Sequence, residues 1–168
     1  MIRVALTASL LLIGGASVLI AQKKTEPRPA KGSVLAKEGL TDPYTDEDPK
    51  LMERLGIAGY GPLVWANHKR TTDVDKVLGE GRVLWMETEH FKIGCNLGFA
   101  GAPKDSVARR QLKAEMKRLN KKCSKIPASK SKMGPWLRLH IYAQRAEDLL
   151  AEFSALSGHD LAGTQLGQ

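Results

Sequence analysis

The chain has 168 residues, a formal charge of +8 at neutral pH and only two cysteines. That length bounds it to one domain with a real core, and so few cysteines exclude a disulfide-dense scaffold. No HExxH, CxxC or CxxCH occurs, which removes the zincin, zinc-finger and covalent-haem signatures.

Met1-Ile2-Arg3 makes a short basic start, and Val4 to Ala21 carries no charge. This is the pattern of a signal peptide over 1–21, with a cut after Ala21. The same uncharged run also reaches the lower limit for crossing a bilayer, so an uncleaved anchor holding the chain to a membrane is the competing reading. No cysteine stands at the cut, which argues against a lipid-anchored lipoprotein. The expected destination is extracytoplasmic: periplasm, cell surface or medium. Residues 22–45 are rich in Lys, Pro, Gly, Glu and Asp without an apolar period, and are expected to form a disordered tether.

One ordered domain is expected over 46–158. In TDEDPKLMERLG, Asp48 suits an N-cap, Pro49 the first turn and Gly56 the C-terminal stop. IAGYGPLVWANHKR reads as a short extended segment against the core. In TTDVDKVLGEG, Thr72 with Asp75 resembles a capping box, and Val74, Val77 and Leu78 are expected to face inward. Arg82 to Cys95 is dense in β-branched and aromatic residues between glycines, and is expected to be the principal strand.

Two long helices follow. In DSVARRQLKAEMKRLNKKC, Ala108, Leu112, Met116, Leu119 and Cys123 form one apolar stripe on a basic helix. SKIPASKSKMG reads as a loop. In PWLRLHIYAQRAEDLLAEFSALSG, the stripe Trp136, Leu139, Ala143, Ala146, Leu150 and Phe153, widened by Leu137, Ile141, Leu149 and Leu156, predicts a helix central to the core. Residues 159–168 have no period and are expected to fray.

The stretch VLWMETEHFKIGC, 83–95, packs two carboxylates, a histidine and a cysteine together. Read as one strand, it puts Glu87, Glu89, Phe91, Ile93 and Cys95 on the face of Val83 and Trp85, with Thr88, His90 and Lys92 on the other. Glu87 and Glu89 stand close enough for an acid–base pair that no third group completes, and His90 with His140 on the last helix would make at most a two-histidine metal site. A strand whose polar residues reach a sheet edge is the preferred reading. An oxidising compartment permits a Cys95–Cys123 disulfide. A helix roughly 27 Å long stands between the two cysteines, against a Cα separation of about 7 Å, and both states stay open. GCNLG and GFAGAP match neither a nucleophile elbow nor a phosphate loop. No cofactor is expected.

Charge is the sharper signal. Residues 104–132 hold eleven Lys or Arg and two acids, so the rest of the chain is close to neutral. Arg109, Arg110, Lys113, Lys117, Arg118, Lys121, Lys122 and Lys125 read either as a solvated, solubilising face or as a docking surface for an anionic surface or a partner protein. For an exported protein nucleic acid is the least expected partner, and no aromatic residue interleaves with the cations to suggest base stacking.

DPYTDEDPKLMERLGIAGYGPLVWANHKR, LWMETEHFKIGC and PWLRLHIYAQRAEDLLAEFSALSG together resemble the N-terminal part of a family of exported bacterial proteins without assigned function. A strand reading roughly "ehFkI" followed by a helix like AQRAEDLLAEFSALSG is also similar to peptidase-MA-like (gluzincin) proteins, whose HExxH helix comes later. No position here matches that motif, so the resemblance transfers no metal ligand or catalytic residue. The expected fold is α+β: a small sheet or hairpin, two long packed helices and short N-terminal helices. The expected function is a non-catalytic extracytoplasmic binding or interaction module with a basic surface. The alternative is a shortened relative, or N-terminal fragment, of a metal-dependent hydrolase lacking its catalytic half.

Overall fold

A computed structural model describes residues 39–66 and 68–158. The expected signal segment, most of the expected tether and the expected tail at 159–168 lie outside those residues. Over the described residues the fold is α+β, with four helices and a small antiparallel sheet. In chain order the elements are α1 (Pro49–Leu55), β1 (Ile57–Tyr60), β2 (Val64–Ala66), β3 (Lys69–Arg70), α2 (Thr71–Leu78), β4 (Leu84–Thr88), β5 (Lys92–Cys95), β6 (Ala100–Gly101), α3 (Ser106–Lys122), β7 (Lys132–Met133) and α4 (Pro135–Ser157).

The three-stranded sheet has the order β1-β4-β5. The two short pairs, β2–β3 and β6–β7, are separate antiparallel ladders. The expected single strand over 82–95 is instead a hairpin. The chain bends at Glu89–His90, and β5 returns with Met86 opposite Ile93 and Leu84 opposite Cys95. A turn resets the alternation of side chains, so Ile93 and Cys95 join Leu84, Met86 and Thr88 on the core face, not Trp85 and Glu87. Trp85 lies on the other face over two glycines. A Cβ at Gly61 would meet its Cβ at 2.9 Å, and one at Gly94 would meet its Cζ3 at 2.5 Å.

The helix signals of α1 hold as read. Asp48 Oδ1 accepts from Lys50 N, Pro49 opens the helix, and Gly56 closes it at φ 74°, a conformation that favours glycine. In α2 the cap lies two residues earlier than expected: Asp73 Oδ2 accepts from Arg70 N at 3.0 Å. Nor does α2 bury an apolar face, since Val77 is 83% exposed and Leu78 is also exposed. It is fastened by polar groups: buried Thr71 accepts from Leu63 N at 2.9 Å, and Trp85 Nε1 donates to Asp75 at 3.3 Å.

α4 is the hub. Trp136, Leu139 and Ala143 pack with Ile57, Leu84, Met86 and Cys95 on the sheet side. Leu137 and Ile141 pack with Leu112, Met116, Leu119, Cys123, Ile126 and Met133 on the α3 side. A helix buried on two sides reads as apolar nearly all round, and each of these larger side chains contributes about 1.5–3 kcal/mol of burial. The connector after α3 is anchored rather than free, because Ile126 and Met133 are core residues and β7 pairs with β6.

The expectation that the whole stripe of α4 enters the core fails beyond residue 146. Trp136 and Phe153 are five apolar steps apart, yet that span falls short of five full turns, so Phe153 sits about 100° around the helix from Trp136. Phe153 is accordingly 56% exposed, and Leu149 and Leu156, read as widening the stripe, lie still farther round the helix from Trp136 and are 67% and 81% exposed.

Candidate functional site

Asp105 caps α3, its Oδ1 accepting from Ala108 N at 2.8 Å. With Leu112, Met116 and Leu119 buried against α4, helical geometry puts Arg110, Lys113, Lys117 and Lys121 on the opposite side. All four are exposed, and none of their side chains makes an ion pair or hydrogen bond among the described residues. The row is about 17 Å long at the rise of an α-helix.

The other four cations of the sequence-derived set behave differently. Arg109 folds back onto the carbonyls of Pro103 and Lys104, at 3.0 and 3.2 Å. Arg118 forks onto both carboxylate oxygens of Asp148, which holds its guanidinium above the ordinary arginine value. Lys122 lines a cleft beside α4, and Lys125 is exposed in the following connector. Arg145 on α4 makes the reciprocal tie, donating to both oxygens of Glu115 at 2.9 and 2.8 Å. The α3–α4 seam is thus neutralised by its own ion pairs, while the outward row is not.

The four metal or acid–base candidates do not form one ligand set. Glu87 lies 3.4 Å from Lys92 across the hairpin. Glu89 is exposed at the bend and lines the cleft. His90 Nδ1 is 2.8 Å from Glu147, and burial, which alone would raise Glu147, is outweighed by hydrogen bonds from Thr88 and His90 that hold it below its ordinary value. His140 Nε2 is 2.9 Å from Asp42. Among the described residues, no group of three or more His, Cys, Asp or Glu is placed to hold a metal ion.

Of the two states left open for Cys95 and Cys123, the structure has the free thiols and no disulfide. Cys95 and Cys123 are free, buried thiols in different core clusters, Cys95 against the sheet and Cys123 beneath α3. The hairpin turns Cys95 toward Leu84, and α3 ends on the far side of α4.

The structure also shows a polar cluster that composition concealed. Asp42, assigned by composition to the tether, is buried, as are Thr45 and His140. Asp42 Oδ2 is 2.9 Å from His140 Nε2, 2.6 Å from the Tyr60 hydroxyl and 2.8 Å from the Thr45 hydroxyl, while Oδ1 accepts from Tyr44 N at 3.0 Å. Burial alone would raise this carboxyl. The hydrogen bonds and charge of His140, with Tyr60 and the Tyr44 amide, outweigh it and bring the carboxyl down to about 2. Burial beside that carboxylate pushes the Tyr60 phenol up. Because Asp42 is ionised and only accepts, Nε2 of His140 carries the proton between them. The cluster's two hydroxyls lie on the carboxylate rather than on the imidazole, so it lacks the nucleophile–base contact of a hydrolytic triad. Its effect is to fasten residues 42–45 to β1 and α4. The signal was the Asp-Pro-Tyr-Thr turn, in which a side chain captures the backbone two residues on.

Above His140 opens the cleft, about 210 Å³, between the end of α1, β4 and α4. Gln144 lines it with a buried Nε2 that lacks a protein partner among the described residues. No helix among the described residues is long and apolar enough to cross a membrane. Comparison with protein-family models, with curated proteins and with solved structures finds no match to this chain.

Proposed function

We propose that this protein is an exported, non-catalytic binding module that docks on an anionic surface through the outward row of α3. One observation carries the reading: Arg110, Lys113, Lys117 and Lys121 stand exposed and unpaired among the described residues, while their neighbours Arg118 and Arg145 are each matched to an acid. Like charges at i,i+4 cost a helix about 0.2–0.5 kcal/mol per pair. Lys121 recovers part of this at the helix C-terminus, where a cation complements the dipole. Arg110, Lys113 and Lys117 recover none of it there. Solubility alone is served by cations interspersed with acids, so a single-sign row is better accounted for by an anionic partner.

The test is retention on an immobilised sulfated polyanion and on anionic lipid vesicles across ionic strength. Screening shortens from about 30 Å at 0.01 M salt to about 8 Å at 0.15 M, so binding should fall steeply over that range. The quadruple change Arg110→Gln, Lys113→Gln, Lys117→Gln, Lys121→Gln should abolish it. Removing Lys50 and Lys69, exposed cations elsewhere, should leave it nearly intact. Equal loss in both sets of variants would reduce the effect to net charge and defeat the proposal.

A further inference from the structure

Among the described residues, the C-terminal half of α4 carries an exposed apolar seam, covered only at Tyr142, where Arg138 and Arg145 lie over the ring. Tyr142, Ala146, Leu149, Phe153 and Leu156 follow one another at steps of 4, 3, 4 and 3, the spacing of a helix that packs along another helix. The seam lies across the helix from His140 and Ala143, which are buried. Its large members are all exposed, whereas soluble monomers seldom leave large apolar side chains contiguous.

We infer that this seam is closed by the same seam of a second copy, in an antiparallel two-helix contact whose two-fold axis passes at Leu149. An isologous contact requires a surface complementary to itself, and this one is so in a single direction. Run antiparallel, Tyr142 meets Leu156 of the second copy, and Leu149 meets its own counterpart. Ala146, the one small residue of the seam, stands opposite Phe153, so a large side chain enters each small gap. Run parallel, Phe153 would meet Phe153 and Ala146 would meet Ala146, crowding one level and leaving a void at the next.

Charge selects the same direction. Arg145 and Glu152 flank the seam on one side, two turns apart, and antiparallel pairing brings each opposite the other's type. Parallel pairing would put the two copies' Arg145–Glu152 flanks on opposite sides of the contact and forgo this match. Glu152 has no ion pair among the described residues. Arg145 keeps Glu115 on its α3 side, so the added contact fixes register more than strength. A contact of five seam residues sits at the low end of interface sizes, and the pair should be weak and reversible.

Sedimentation equilibrium of the full chain up to about 1 mM should show a monomer–dimer equilibrium. The double change Leu149→Lys, Phe153→Lys should make it monomeric without shifting Tm, because both side chains lie mostly in water in the monomer. Leu149→Cys, placed on the axis, should cross-link by oxidation at least tenfold faster than Ala151→Cys, exposed on the other side of the helix. The wild-type thiols are buried and provide the blank. Three results would overturn the inference: a wild type monomeric throughout, a dimer untouched by the lysine pair, or equal cross-linking at 149 and 151.

Discussion

At Asp42 four donors converge on one carboxylate: His140 Nε2, the Tyr60 and Thr45 hydroxyls and the Tyr44 amide. Two hydroxyl protons serve three close contacts, because Thr45 and Tyr60 also lie 2.7 Å from each other. So tight an arrangement needs the ion. The Asp42 carboxyl sits at about 2 in the fold against 3.8 as a free side chain, so between those values the unfolded chain binds more protons than the folded one. Its contribution, about 2 kcal/mol, is therefore complete above about pH 5 and is lost as the pH falls through the folded value. Asp42→Asn keeps the shape but leaves three donors facing a weaker acceptor. It should cost about 2–4 kcal/mol at pH 7 and flatten the loss of stability between pH 4 and 2. Urea unfolding at pH 7, 4 and 2.5 reads both effects. A variant whose acid profile runs parallel to the wild type would show that the carboxylate does not carry this linkage.

Elements were legible where local chemistry decided them and illegible where packing did. The caps and stops of α1, the buried stripe of α3 and the N-terminal half of α4 follow from Asp48, Gly56 and the spacing of Leu112, Met116 and Leu119. Three features did not follow. The bend at Glu89–His90 has no glycine or proline to announce it, and it reverses the facing of Ile93 and Cys95. The stripe of α4 is evenly spaced, yet small angular errors accumulate until Phe153 leaves the core. The buried partner of His140 lay in a segment whose composition reads as linker. The cysteines illustrate the consequence, because hairpin parity and the course of α3 decide their separation, and neither is local. With both thiols free and buried, native protein should give no fast reaction with a thiol reagent, and protein in denaturant without reductant should give two thiols per chain. A count of zero in denaturant would mean that the bond forms after all, by rearranging the packing around α3.

Across the described residues, α4 is the one element with buried residues in both hydrophobic clusters, and α1 borders both through half-buried Leu51, Met52 and Leu55. Its Leu139 sits with the sheet and its Leu137 with α3, two residues apart on one rigid rod. Losing either cluster strips one side of α4 and exposes the other cluster along the same helix, so the two should not melt separately. The polar ties act in the same direction, since Asp42 joins the N-terminal segment to α4 and Arg54 of α1 reaches the Lys121 carbonyl at the end of α3. Thermal unfolding followed by far-ultraviolet dichroism, which reports the helices, should therefore coincide with tryptophan fluorescence, which reports Trp136 and the sheet. Leu137→Ala and Leu139→Ala truncate opposite clusters, yet each should move that single transition, by about 2–5 kcal/mol. Two separated transitions, with one variant shifting only the helical signal and the other only the fluorescence, would mean that the sheet and the α3–α4 pair stand independently and that α4 does not couple them.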